Sequence, residues 1–101
     1  MSTPLPSDAT LVELRPDALT FRTRECVLPP TPVDLVLRLE GQPLALRAPV
    51  EACLVVEKDR SGYVFHCRLD LAALPGPDRQ LVALFIAKGR GSPVLGTPGS
   101  K

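Results

Sequence analysis

From Val33 to Glu40 apolar and polar side chains alternate, and this alternation recurs along most of the chain. Val33, Leu35, Leu37 and Leu39 fall on one face, and Asp34, Arg38 and Glu40 on the other, with Val36 as the exception. A period of two is the mark of a half-buried strand. Gly41-Gln42 is a tight connection, so the next strand is expected to return antiparallel as a hairpin. That strand runs from Leu44 to about Lys58, with Leu44, Leu46, Ala48 and Val50 set against Ala45, Arg47 and Glu51. Pro49 has no N–H for a ladder and predicts a bend, a bulge or an edge position, which lets one strand serve two parts of a barrel. Asp59-Arg60-Ser61-Gly62 reads as a polar turn. Beyond it Tyr63, Phe65, Cys67 and Leu69 face one way, and Val64, His66, Arg68 and Asp70 the other.

Two shorter strands precede this block, Thr10–Leu14 and Ala18–Thr23, joined at Arg15-Pro16-Asp17. Proline there pre-sets the backbone for a turn. Leu19 and Phe21 share one face of the second strand, and Thr20 and Arg22 the other. A single helix ends the pattern. Pro77 suits its first turn, Asp78 complements its positive end, and Gly89 stops it. Leu81, Leu84, Phe85 and Lys88 form one stripe, whose apolar Leu81, Leu84 and Phe85 are expected to cap one open end of a barrel, which leaves Val82 and Ile86 as a second, partly exposed stripe. Residues 1–9 read as a flexible lead-in, 10–89 as one β domain with a C-terminal helix, and 90–101, rich in Gly, Pro and Ser, as a disordered tail.

The chain has 101 residues, enough for one domain with one modest core. Its 12 basic and 11 acidic residues nearly balance, which argues against a coat for nucleic acid polymers or anionic membranes. No apolar run approaches the roughly 20 residues of a membrane span. The first residues lack the basic start and apolar core of an export signal. The three cysteines, Cys26, Cys53 and Cys67, form no CxxC pair and no zinc spacing, so reduced thiols in a cytoplasmic protein are expected. Cys53 can approach Cys67 across the strands, but with no further ligand in sight neither a disulfide nor a metal is expected there. His66, the sole histidine, adjoins Cys67, and neighbours on a strand point to opposite faces. No nucleophile–base pair, phosphate-cradling loop or carboxylate pair assembles, so no enzyme activity and no cofactor are expected.

Two stretches carry a family resemblance: ALTFRTRECVLPPTPVDLVLRLEGQPLALRAPV and YVFHCRLDLAALPGPDRQLVALFI. In order and pattern they resemble the middle and the closing helix of a PilZ domain. The resemblance implies a mainly β fold, a small antiparallel β-barrel of about six strands closed by one C-terminal α-helix. It also implies a bacterial signalling role of the kind tied to motility and pilus functions. PilZ domains bind cyclic di-GMP through RxxxR on an N-terminal arm and a following (D/N)xSxxG. Here Glu13, Arg15 and Ala18 occupy the three fixed positions of the second motif, and none of the 12 residues before Glu13 is Arg or Lys. Losing several charge-assisted bonds, each worth about 1.5–3 kcal/mol, removes most of the nucleotide affinity. The expected function is therefore a non-enzymatic regulatory module that binds a protein partner or itself, with Val82 and Ile86 as the contact surface. The alternative is a cyclic di-GMP sensor that uses Arg15, Arg22 and Arg24 as substitute anchors. Arg22 and Arg24 also fit a plain solvated strand edge, where charge deters strand-to-strand aggregation.

Overall fold

The computed structural model describes residues 2–39, 41–89 and 93–96. The fold is mainly β with one helix. Seven strands follow in the order β1 (Thr3–Pro4), β2 (Thr10–Leu14), β3 (Ala18–Thr23), β4 (Pro32–Leu39), β5 (Gln42–Asp59), β6 (Gly62–Asp70) and, after helix α1 (Gly76–Lys88), β7 (Val94–Gly96). Their lateral order is β1-β4-β5-β6-β3-β2, with β7 also paired to β4. All neighbours are antiparallel except β1 and β4. No ladder joins the two ends of this path among the described residues, so the sheet is not closed into a barrel.

Strand β5 organises the molecule. Its first part, Gln42–Pro49, pairs with β4, and its second part, Val50–Asp59, pairs with β6. The exchange of partners falls at Pro49, where the missing N–H ends one ladder, and the register with β6 shifts between Val50 and Ala52. The turns on either side of β5 use Gly41 at φ +83° and Gly62 at φ +122°, conformations that strongly favour glycine.

Alternation puts Leu19 and Phe21 of β3, Val33, Leu35 and Leu37 of β4, Leu46, Ala48 and Val50 of β5, and Cys67 and Leu69 of β6 into one core. The start of β6 departs from the expected faces. Tyr63 is exposed and Val64 is buried, the latter beside Asp8, Arg22 and Arg24. A second register shift on β5, between Val55 and Glu57, disturbs the pairing at this end of the ribbon.

The helix presents a different stripe from the expected one. Val82 is 0% exposed and Phe85 9%, and Ile86 packs partly against the core, whereas Leu81 is 50% and Leu84 57% exposed. Val82 is thus a core residue and Ile86 a half-covered one, and neither offers an open contact surface. Every residue from Leu81 to Ala87 is apolar, so periodicity could not choose between two stripes about 100° apart. The entry into the helix makes the choice. Leu71, in the preceding single turn of 3-10 helix (Leu71–Ala73), and Leu74, which caps that turn, are both buried, and the Ala72 N–H donates to the Asp70 carboxylate. That anchor fixes the angle at which α1 meets the sheet. Pro77 and Asp78 lie in the first turn, Lys88 in the last, and Gly89 at φ +63° closes the helix.

Both terminal segments are more ordered than expected. Thr3 and Pro4 pair with Val33 and Asp34, Leu5 is buried, and the Ser2 hydroxyl donates to the Asp34 carboxylate. One buried leucine and a short parallel ladder hold what reads by composition as a lead-in. Val94–Gly96 pairs with Val36–Arg38, so the tail holds a strand there; its remaining residues, 90–92 and 97–101, lie outside the described residues. No helix among the described residues is long and apolar enough to cross a membrane.

Candidate functional site

The three arginines considered as anchors do not converge. Arg15, in the β2–β3 turn, lines a depression with His66 and Arg68, and Arg22 and Arg24 line a different one with Asp8 and Thr23. Arg22 on β3 and Arg24 just past its end lie either side of the buried Thr23, Arg22 half-buried and Arg24 exposed. Each guanidinium is engaged by a carboxylate of the chain itself. Arg15 Nε lies 2.9 Å from Glu13 Oε2, and Arg22 Nη2 lies 2.9 Å from Glu57 Oε1. Arg24 donates twice to Asp59, at 3.0 and 2.8 Å, a fork-to-fork pair. Hydrogen bonding to Asp59 raises the Arg24 pKa, and the same contact holds the Asp59 carboxyl below its usual range. These pairs are solvent-exposed, so water screens them and they add little to the stability of the fold. Their consequence is local: a phosphate must displace an acidic neighbour and then sit beside it.

Asp8 anchors the end of β3. Its Oδ1 accepts from the Thr23 hydroxyl at 2.6 Å, and its Oδ2 accepts from the Arg24 backbone N–H at 2.8 Å. Among the described residues Thr23 is the buried polar one, so this carboxylate satisfies a hydroxyl withdrawn from water. The Thr23 hydrogen bond is the main cause of an Asp8 pKa below its ordinary 3.8. A depressed carboxylate stabilises the fold above its unfolded pKa and loses that contribution as pH falls through its folded one. Asp8→Asn is expected to cost about 1 kcal/mol at pH 7, the low end for a charged hydrogen bond because Asp8 is exposed. Urea unfolding should show the gap between the two proteins at pH 7, and the gap should narrow as pH drops below about 4. A gap that does not narrow as the pH falls would contradict the assignment.

The apolar surface lies elsewhere. Leu81, Leu84 and Phe85 of α1 face Leu39 and Leu44 at the β4–β5 hairpin across a groove of ≈ 260 Å³, with Lys88 at its rim. Leu54, Val55 and Val56 are exposed on the outer part of β5, where the register shift leaves the ribbon uncovered on both faces.

The cysteines come together in a way that spacing revealed only in part. Cys53 and Cys67 face each other across β5 and β6, as the hairpin allows, and their sulfurs lie 3.3 Å apart. Cys26, from the proline-rich connection between β3 and β4, brings its Sγ to 3.8 Å from Cys53 Sγ. All three are free thiols: Cys26 is exposed, Cys53 half-buried and Cys67 buried. Burial, followed by the contact with Cys53, pushes the Cys67 thiol up to about 12. The same two causes push Cys26 up. Cys26 escaped the sequence reading because nothing in a loop predicts which strand it will lean on. His66 leans away, beside Arg68 and Leu54 on the outer face. Among the described residues no group of His, Cys, Asp and Glu is arranged to hold a metal ion. Compared with known proteins, the chain matches no family model, no curated protein and no solved structure.

Proposed function

We propose that this chain is a non-enzymatic regulatory module of bacterial signalling, related in architecture to PilZ domains, that works by docking on a partner protein. The barrel of that family would here be opened between its ends. The bend of β5 through both halves of the sheet and the approach of β2 to β7 support this reading. The observation that carries the docking role is the exposure of Leu81 and Leu84 beside the hairpin groove, on a helix whose other face is already spent on the core. Contiguous exposed apolar surface beside a groove marks interaction sites. Among the described residues that line the groove, Lys88 is the charged one. The fitting occupant is a partner segment with an apolar stripe and a carboxylate that reaches Lys88.

The sensor alternative is disfavoured because its arginines are divided between two depressions and each is paired with a carboxylate. Calorimetric titration with cyclic di-GMP at physiological salt should give no heat of binding at high micromolar ligand; micromolar affinity would replace the docking reading with the sensor reading. In parallel, a partner identified by cross-linking and purified should bind the wild-type chain. It should bind the Leu81→Asp/Leu84→Asp double variant at least tenfold more weakly. Equal binding to both would remove this surface from consideration.

A further inference from the structure

We propose that Cys26 and Cys53 form a reversible disulfide when the protein meets a hydroperoxide, with the exposed Cys26 oxidised first and Cys53 the thiol that resolves it. The inference is independent of the docking reading and rests on the placement of three sulfurs. Cys53 Sγ lies between two others, 3.8 Å from Cys26 Sγ and 3.3 Å from Cys67 Sγ. A disulfide needs about 2.05 Å, so one partner must move. Cys67 is badly placed to do so. It is fully buried on β6, with ladders to β3 on one side and to β5 on the other, and no oxidant reaches it from solvent. Cys26 differs in both respects. It is exposed and belongs to the connection between Thr23 and Pro32, outside any strand ladder. The backbone hydrogen bond within that connection runs from Thr31 N–H to the Leu28 carbonyl, past Cys26, so closing the gap of less than 2 Å breaks no ladder.

The steps balance. The Cys26 thiolate attacks one peroxide oxygen, the O–O bond breaks, and the leaving oxygen takes a proton to become an alcohol, or water from hydrogen peroxide. Cys26 is now a sulfenic acid, with sulfur oxidised by two electrons. The Cys53 thiolate attacks that sulfur, the S–O bond breaks, and hydroxide leaves with a proton as water. In sum, two thiols and one hydroperoxide give one disulfide, one water and one alcohol. Near neutral pH the raised pKa of Cys26 leaves only a small thiolate fraction, so the first step is slow. The product ties the β3–β4 connection to the outer part of β5. It thereby fixes one wall of the depression formed by Thr3–Ser7 with Glu25, Val27 and Leu28.

The test uses the full chain, reduced, then treated with excess hydrogen peroxide and alkylated. The intact mass should show a monomer that has lost two hydrogens and carries one alkyl group. Peptide mapping should place the link between Cys26 and Cys53 and the alkyl group on Cys67. Dithiothreitol should restore three alkylatable thiols. Cys26→Ser and Cys53→Ala should each lower the yield of internal disulfide at least tenfold, and Cys67→Ala should leave it within twofold. Mapping of the wild-type chain decides the matter even where a variant folds poorly. A Cys53–Cys67 link, a purely intermolecular disulfide, or three thiols oxidised only to sulfinic or sulfonic acids would each overturn the proposal.

Discussion

Phe21→Ala is expected to remove about 3–5 kcal/mol of folding free energy. Phe21 is the largest fully buried side chain, on a strand with neighbours on both sides: Leu11 of β2 lies opposite it on one edge and Cys67 of β6 on the other. Leu19, Leu35 and Val50 share its core. Truncation removes the ring's transfer free energy and leaves a cavity that paired strands cannot collapse to fill. A domain of this size has about 5–15 kcal/mol in total, so the variant should sit near the edge of folding. Phe21→Leu retains most of the volume and should lose no more than about 1.5 kcal/mol. Urea denaturation of the three proteins checks both values. A Phe21→Ala protein within about 1 kcal/mol of wild type would mean that the core is not centred on β3.

Where one face of a strand is buried and the other wet, local sequence was enough. Leu19 and Phe21, the Val33–Leu37 row, and the Leu46–Ala48–Val50 row all lie on the faces their alternation predicts. Pro49 was legible for the same kind of reason, since a missing N–H has a consequence wherever the ladder runs. What could not be read depends on partners far along the chain. Arg22 and Arg24 looked free because Glu57 and Asp59 are each 35 residues away, and only the pairing of β3 and β5 with β6 brings them together. The Cys26–Cys53 approach is of the same type. The terminal strands are too short for any period to show, and Leu5 enters the core by position alone. The helix failed differently. Its apolar run satisfies both candidate stripes, so the missing information was an angle set by Leu71 and Leu74 before the helix begins.

That angle gives the second large prediction, which turns on adjacent stripes of one helix. Val82→Asp should unfold the domain or reduce its stability by more than about 4 kcal/mol. Val82 is completely buried in the core cluster, with no cation in that cluster to pair a new carboxylate. Leu84→Asp, two residues on, should change stability by no more than about 0.5 kcal/mol, because its side chain is 57% exposed. The cost of a buried charge is set by lost hydration, so the contrast should survive high salt, which a surface electrostatic effect would not. Circular dichroism and urea unfolding of both variants measure it directly. Equal tolerance of the two substitutions would mean that α1 sits on the sheet by its other face, and would return Val82 and Ile86 to the surface. If the contrast holds, binding lost on Leu84→Asp is attributable to contact and not to unfolding, and that separation is what lets the helix surface be assigned to a partner.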